Sequence, residues 1–599
     1  MRGRRLAPRG GCYPAATVRL VEIRLLEGPN VFRLEPAVKV EIALGRRRTW
    51  HGARLPRDGS EARIGAVIGR TDWPDEVDDL VAWLGRLRRV ASDTAGAPHV
   101  YRSSDPGHWI VTYPWRAAER ARNVAEAAVD LTAHRVTPAR RVTLTGAQSR
   151  LLARWTERIS AAGSTPPAWI RDADRQIPVI SVTGTNGKST VARLITHILV
   201  RAGRRVGTTT SDGVLVDERL VEAGDWTGPG GAHQVLSRSG LDAAVLETAR
   251  GGILLRGIGY ESNEVSILTN VSSDHLDLQG IHTLPQLAEV KATVCRITSA
   301  DGWVVLNADD PLVAAVARRV RGHVAFFSLD PGHSPVIRRH LGRGGRAYVR
   351  RDGRLLELED GRSTEIAAAV DLPITLVGLA THNVANALAA AAGARGLGLS
   401  IEDVAAGLRD FRPTAGHSPG RLNVFRVGSR IVIVDFAHNE AGIAAVLDVA
   451  EGIAAGAGGP MAPITTIVGT AGDRPDDTLR GIGRIAASRS QRVAIKETIG
   501  YLRGRSRQSI IDELMTGIRS AGGASDVPVY GSEVEALRAE LAAATTSASG
   551  RPERGRIIVL LCHAERPEVL TLLAQQGARP VEGASELVEL APRLADRLR

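Results

Sequence analysis

The run PVISVTGTNGKSTVARLITHIL (178–199) carries the strongest chemical signal in the chain. A β-branched strand ends at Thr183, the loop Gly184-Thr185-Asn186-Gly187-Lys188-Ser189-Thr190 follows, and a helix begins. Glycines at such a turn let backbone N–H groups point inward at an anion, and the helix start adds its positive end. Lys188 can then meet the outer phosphates of a nucleotide, and the Ser189 hydroxyl can ligate Mg²⁺. The first glycine of the common eight-residue phosphate loop would fall at Val182, so this is a shorter form.

Three further residues could add chemistry. Glu247, in Leu246-Glu247-Thr248-Ala249-Arg250-Gly251-Gly252, sits where a predicted strand ends, at the edge where doubly wound sheets bind ligands. Its carboxylate can hold a metal on a nucleotide or pair with an arginine. His275 lies in Thr269-Asn270-Val271-Ser272-Ser273-Asp274-His275, a polar loop after another strand. Alone it would read as structural; beside a phosphate loop and a strand-end glutamate it is a candidate ligand for a second divalent ion. Lys291 is in the helical segment Leu287-Ala288-Glu289-Val290-Lys291-Ala292. The chain has only four lysines, Lys39, Lys188, Lys291 and Lys496, among 77 basic side chains. Arginine replaces lysine well on a solvated surface and badly where a compact amine is needed. A lysine kept here is therefore a candidate for a specific task, and an amine can also react with CO₂ to give an anionic, metal-ligating carbamate.

The elements that must position these residues follow from patterning. Val18–Phe32 reads as a strand broken at Gly28-Pro29-Asn30, Val38–Leu44 and His108–Pro114 as strands, and Glu76–Arg88 and Arg116–Ala133 as helices. They predict a small α+β domain without a catalytic constellation. A helix and a linker occupy about 145–176. Strands at Ile177–Thr183, Ala243–Glu247, Val265–Thr269 and Trp303–Leu306 alternate with helices, which predicts a mostly parallel sheet covered on both faces. A hairpin centres on Asp352-Gly353, and a helix starts near His382. After RPTAGHSPG (412–420) the alternation restarts, with strands at Ile431–Asp435, Ile464–Gly469, Arg492–Ile495 and Ile557–Leu561. The expected division is a disordered leader at 1–16 and domains at 17–170, 171–414 and 415–599.

Composition narrows the class. At 43% hydrophobic and 24% charged, the 599 residues are those of a globular protein. No apolar run is long enough to span a bilayer, and the basic N-terminus has no apolar stretch behind it. Cys12, Cys295 and Cys562 are too few and too scattered for a disulfide framework or a zinc ribbon. The net charge of +12 is spread out and almost all arginine, which reads as a compositional bias and not a nucleic-acid surface. A cytoplasmic protein with no membrane and no nucleic-acid partner is expected; a homo-oligomer is compatible with this.

Residues 177–599 resemble the Mur ligase superfamily, and within it the C-terminal ligase module of the cyanophycin synthetases. The resemblance rests on TGTNGKST (183–190), SDGVLVDERLVEAGDWTGP (211–229), LDAAVLETARGGIL (241–254), TNVSSDHLDLQGI (269–281) and AEVKA (288–292), then LNADDP (306–311), HNVANALAAA (382–391), PGRLN (419–423), VDFAHN (434–439), GDRPDD (472–477) and LRGR (502–505). EIRLLEGPNVF (22–32) and WIVTYPWRAAERARNVAEAAVDL (109–131) also look like the N-terminal domain of those synthetases. Their ATP-grasp domain has no room here, because about 50 residues separate Leu131 from the phosphate loop. The implied fold is α/β: a Mur-ligase-like central P-loop domain with a parallel sheet, a C-terminal Rossmann-like α/β domain and a small α+β N-terminal domain.

The resemblance also implies roles. Gly184, Thr185, Asn186, Gly187, Lys188, Ser189 and Thr190 would cradle the ATP phosphates. Ser189 and Glu247 would hold one Mg²⁺; His275 and Lys291, if carbamylated, would help place a second. Lys188, Glu247, His275 and Lys291 thus form the expected catalytic set. Asn383 and Asn386 would lie near the base, Arg421 and Asp435 would hold phosphate and ribose, and His438, Asn439, Asp473 and Arg503 would face the amine substrate. The implied reaction is ADP-forming amide synthesis through an acyl phosphate. It would join an acidic amino-acid or peptide carboxylate to an amino-acid amine. An ATP-binding regulatory or partner protein without ligase activity is the alternative. Under the ligase reading, Lys188→Ala lowers ADP release by at least about a hundred- to thousandfold, because it removes the main cation at the transferring phosphoryl group; full ATP-dependent ligation by that variant would refute it.

Overall fold

Every strand of the first sheet hangs an apolar face on the same helices. In the computed structural model, which describes residues 18–45, 67–136, 138, 144–273, 276–456, 462–497, 499–523, 526–543 and 556–597, this sheet runs Val18–Leu26, Ala37–Leu44, His108–Pro114, His99–Arg102, all antiparallel. Val38, Val40, Ile42 and Val111 meet Val77, Leu80, Trp83 and Leu84 of helix Asp75–Val90 and Val124, Ala127 and Ala128 of helix Ala118–Ala133. The large aromatic rings are buried with their polar tips satisfied: Trp83 Nε1 donates to Val136 O at 2.6 Å and Tyr113 Oη to Ala121 O at 2.8 Å. With helix Gly146–Ala161, closed by a Thr145–Gln148 capping box, these elements make one compact unit that runs to Trp169 and includes Leu255–Gly257. The leader expected at 1–16 lies outside the described residues.

The second unit, Ile170–Leu254 with Ile258 onward, contains two sheets. The larger has, among the described residues, eleven strands in the order Arg362–Ala368, Arg354–Glu359, Arg346–Arg351, His323–Ser328, Thr298–Asn307, Asn263–Leu268, Val179–Thr183, Ala243–Glu247, Val206–Thr209, Gly213–Val216, Arg219–Ala223. Its middle, from Arg346–Arg351 to Val206–Thr209, is parallel. Both edges are antiparallel, a feature that strand–helix alternation did not announce. The hairpin expected at Asp352-Gly353 is present, and with Arg362–Ala368 beyond it makes one edge. The other edge, through Gly213–Val216 and Arg219–Ala223, is made of strands too short and too irregular in hydropathy to read from the sequence.

Val179–Thr183 lies mid-sheet, between Asn263–Leu268 and Ala243–Glu247. The chain leaves it first toward one side and later returns on the other, so a crevice opens beyond its C-terminal end, where doubly wound sheets bind ligands. Helix Lys188–Arg201 starts there and buries Val191, Leu194, Ile195 and Ile198 against the sheet. Beside it, helix Thr381–Gly396 packs with an alanine-rich face. The fit is close: a Cβ on Gly393 would come within 2.7 Å of Ile267 and 3.0 Å of Ile195.

The smaller sheet runs Val529–Tyr530, Arg492–Lys496, Ile464–Val468, Ile557–Leu561, Arg430–Asp435, Asn423–Val427, Arg579–Val581. The first five are parallel and Asn423–Val427 is antiparallel to its neighbours. Helices Glu440–Gly456 and Asp476–Arg489 bury Ile443, Leu447, Leu479 and Ile482 on one face, and helices Glu533–Ala542 and Arg566–Gln575 bury Leu537, Val569 and Leu573 on the other. No helix among the described residues is long and apolar enough to cross a membrane.

Candidate active site

The phosphate loop is held by its neighbours on every side. Gly184 has φ +150° and Gly187 φ +86°, and neither has space for a Cβ, which would fall 1.9 Å from Thr269 Oγ1 and 2.3 Å from Asn386 Oδ1 respectively. The loop after Asn263–Leu268 supplies the outer frame. Thr185 N donates to Asn270 O at 2.9 Å and Asn186 N to Asn270 Oδ1 at 2.9 Å. Thr269 Oγ1 and Asn270 Nδ2 both donate to Asn186 O, at 2.7 and 3.0 Å. From the helix side, Lys188 Nζ turns back to Thr185 O at 2.8 Å. Lys291, buried on helix Leu284–Arg296, donates its Nζ to Gly184 O at 2.6 Å. Thr190 is buried in the first turn of the helix.

Ser189, Glu247 and Ser211 gather where three strand ends meet. Ser211 N donates to Glu247 Oε2 at 3.4 Å, and the Ser189 and Ser211 hydroxyls are 3.4 Å apart. Burial pushes the Glu247 carboxyl above its ordinary range, while Lys188, the Ser189 hydroxyl and Arg421 pull the other way. Arg421, from the segment leading into the smaller sheet, reaches Ser211 Oγ at 3.1 Å and Ser189 Oγ at 3.4 Å. Its guanidinium lies 4.4 Å from the centre of the Phe436 ring. Its Nε is buried and finds no acceptor among the described residues.

Asp212, beside Ser211, collects arginines from both sheets. Arg193 Nη2 donates to its Oδ2 at 3.0 Å and Arg566 Nη1 to its Oδ1 at 2.7 Å. Burial raises the Asp212 pKa, but Arg421, Arg566 and Arg193 outweigh it and hold the carboxyl below its usual range.

Strand Arg430–Asp435 brings up the loop that follows it. Asp435 accepts from Leu422 N and Ala437 N, both at 2.7 Å, so its carboxylate organises the turn that carries Arg421 as well as its own loop. Asn439 and Asn186 exchange side-chain amide bonds, 3.0 Å in one direction and 3.3 Å in the other. His438 points its Nδ1 at Phe436 O, 3.0 Å away.

The remaining expected residues are placed as follows. Asn386 lies against Gly187 and donates to Asn383 Oδ1 at 3.0 Å, while Asn383 Nδ2 donates to Ile374 O at 2.9 Å. Asp473 and Arg503 sit in adjoining loops joined by Gly472 N to Tyr501 O at 2.9 Å. Among the described residues no hydrogen bond or ion pair ties either of them to the phosphate loop. Arg503 is exposed, with φ +50° and its guanidinium 5.6 Å from the Tyr501 ring centre. His275 lies outside the described residues.

Residues 182–394 match the Mur ligase middle domain family. The chain is also 42% identical over 366 residues to the cyanophycin synthetase of Crocosphaera subtropica, an alignment covering 61% of this chain and 41% of that protein. Similarity at 29% identity over 376 residues extends to a UDP-N-acetylmuramoyl-L-alanyl-D-glutamate--2,6-diaminopimelate ligase of Alkalilimnicola ehrlichii, covering 61% of this chain and 69% of that one. A bifunctional folylpolyglutamate synthase/dihydrofolate synthase with Mn, AMPPNP and L-glutamate bound superposes with a TM-score of 0.48 at 18% identity, over 66% of this chain and 89% of the other. The chain thus spans about two fifths of the length of the cyanophycin synthetases it matches.

Motif reading picked residues of the glycine-rich loop and passed over those that frame it. Thr269 and Asn270 are in a loop singled out for His275, and here they clamp Asn186. Arg193, Asp212 and Arg566 were not singled out. Asp212 is in a motif, but Arg566 is 354 residues away and carries no local signal. Removing the Asp212 charge leaves buried guanidinium groups uncompensated, so Asp212→Asn destabilises the second unit by about 3–5 kcal/mol. Because the folded carboxyl titrates below its unfolded value, that stabilisation is complete above the unfolded pKa of roughly 4 and is lost as pH falls through the lower folded one. Chemical unfolding at pH 7 and pH 3 checks both parts: the difference between wild type and variant should be large at pH 7 and shrink at pH 3.

Proposed function

We propose that the chain is an ATP-dependent, ADP-forming amide ligase. It joins an acidic amino-acid or peptide carboxylate to the amine of an amino acid through an acyl phosphate. The observation that carries this reading is the meeting of Lys188, Ser189 and Glu247, at the ends of one sheet, with Arg421, Asp435 and Asn439 from the other. The similarity to ligases in both sequence comparisons supports it.

The donor set suits a polyphosphate with a divalent ion. Arg421 keeps a buried Nε without an acceptor among the described residues, and burial pushes the Glu247 carboxyl upward, a cost that a bound cation would offset. In this reading Ser189 and Glu247 would hold Mg²⁺, and His275 and Lys291, if carbamylated, would help place a second ion; such ions would supply charge neutralisation at the phosphates. Lys188 and Arg421 spread the charge of the transferring phosphoryl group. Asn386 and Asn383 back the loop from helix Thr381–Gly396 toward the base, and Asp435 orients Arg421 and the ribose side. His438, Asn439, Asp473 and Arg503 face the incoming amine. Segments 171–414 and 415–599 act as the two working domains, and their closure keeps water from the acyl phosphate. Such an enzyme works in the cytoplasm on small or peptide substrates.

The test is ADP release from ATP and Mg²⁺ across carboxylate and amine pairs, starting with aspartate-containing peptides and single amino acids. The expected result is release that needs both partners, with a product lighter by one water than their sum. ATP binding without turnover for every pair would favour an ATP-binding regulatory protein instead.

A further inference from the structure

Strands Arg492–Lys496 and Ile557–Leu561 end in a buried ionic cluster that none of the roles above uses. Lys496 and Glu533 are both essentially without solvent exposure, their side chains 0% and 1% accessible, and their Nζ and Oε1 are 2.5 Å apart. Glu533 opens helix Glu533–Ala542 and aims its carboxylate at the turn after Ile557–Leu561. There it accepts from His563 N at 2.6 Å, Ala564 N at 3.1 Å, Glu565 N at 2.8 Å and Cys562 Sγ at 3.0 Å. Glu565 returns the contact, accepting from Val534 N at 3.0 Å. Such a wrapped, fully bonded buried charge is costly to assemble and rigid once made.

The cluster reaches the neighbouring loop through His563. His563 Nδ1 lies 3.0 Å from Lys496 Nζ, and His563 Nε2 lies 3.0 Å from Ala437 O. An ammonium can only donate and a carbonyl can only accept. His563 therefore accepts at Nδ1 and donates at Nε2: a neutral ring in a single tautomer. Burial and the Lys496 charge, which lower its pKa well below the ordinary value, favour the same state. The carbonyl it grips is two residues before Asn439, whose amide is paired with Asn186 of the phosphate loop. Ala437 N is held separately by Asp435 Oδ1 at 2.7 Å, so this peptide segment is fixed at both its N–H and its C=O.

We propose that Lys496, Glu533 and His563 are positioning residues: by fixing the Ala437 carbonyl they set Asn439 against Asn186 and so the smaller sheet against the phosphate loop. The inference rests on the reading of that loop as an ATP site. It goes beyond that reading by assigning a function to three residues that do not touch the loop, although the His563 ring packs edge-on near His438, with centroids 6.4 Å apart.

Two measurements test it. Nitrogen-15 shifts of histidine in the full chain should show His563 neutral with its proton on Nε2 at pH 7, whether or not nucleotide binds; a charged ring or an Nδ1 proton overturns the proposal. MgATP affinity is then measured by calorimetry. Wild-type binding checks the ATP reading on its own. His563→Leu, which loses the donor to Ala437 O, should weaken MgATP about three- to tenfold. His563→Gln, which can keep an N–H donor in that position, should restore much of the affinity. In an Asn439→Ala background, His563→Leu should cost little more, because the two act through one contact. Unchanged affinity in His563→Leu, a Gln variant as weak as Leu, or effects that multiply with Asn439→Ala would each overturn the proposal. If His563→Leu does not fold, the Gln variant and the nitrogen shifts still decide.

Discussion

The backbone of residues 184–187 is the constraint on which the second unit depends. A loop that offers amides to an anion must hold those amides inward against their own tendency to find other partners. This one does so by committing its outer groups elsewhere: Thr185 N and Asn186 N to Asn270, Asn186 O to Thr269 and Asn270, Gly184 O to Lys291. What remains unspent are the first amides of helix Lys188–Arg201, which by geometry have no partner within the helix. The absence of side chains at Gly184 and Gly187 allows Thr269 and Asn386 to close in to this extent. The eleven-stranded sheet can be seen as the scaffold that brings the framing loop and the phosphate loop to adjacent strand ends.

Around that loop the charges nearly balance. Lys188, Arg193, Arg421 and Arg566 face Asp212, Glu247 and Asp435. Isolated buried charges would cost several kcal/mol each, so the cluster stands only because its members are paired or hydrogen-bonded. The pairing is also what joins the two sheets. Arg566 and Arg421 come from the smaller one, Asp212 and Ser189 from the larger. A polyanion entering this region would add negative charge where four basic side chains face three carboxylates, and its natural partners would be the same side chains that hold the sheets together. In the proposed reading, anion binding and the contact between the two sheets would therefore share these guanidinium groups.

The sequence revealed whatever depends on neighbours in the chain. The strand, loop and helix from Val179 to Arg201 were legible because their hydrophobic periods and glycines sit side by side. Glu247 was legible because a strand end is a local pattern, and so was the hairpin at Asp352-Gly353. Contacts set by tertiary packing were not. Nothing near Arg566 indicates that it meets Asp212, and nothing in Thr269-Asn270 says that these side chains hold Asn186. The antiparallel edge at Gly213–Val216 and Arg219–Ala223 failed for another reason: the outer strand is fully exposed, so it carries no hydrophobic alternation to read.

The scarcity of lysine held more information than motif reading took from it. All four lysines make short contacts with oxygen. Lys39 pairs with Glu22 and Glu41 at 2.5 and 2.7 Å, Lys188 and Lys291 donate to loop carbonyls, and Lys496 pairs with Glu533. At Lys496 the packing is close: a Cβ on Gly469 would fall 2.8 Å from its Cε. Where arginine serves the surface, lysine persists at sites that demand a point donor in a narrow space. Only two of the four lie in motifs, and those two were assigned a chemical task. The same physical argument, applied without asking for a motif, singles out Lys496 equally, and with it the cluster that holds His563 to the Ala437 carbonyl.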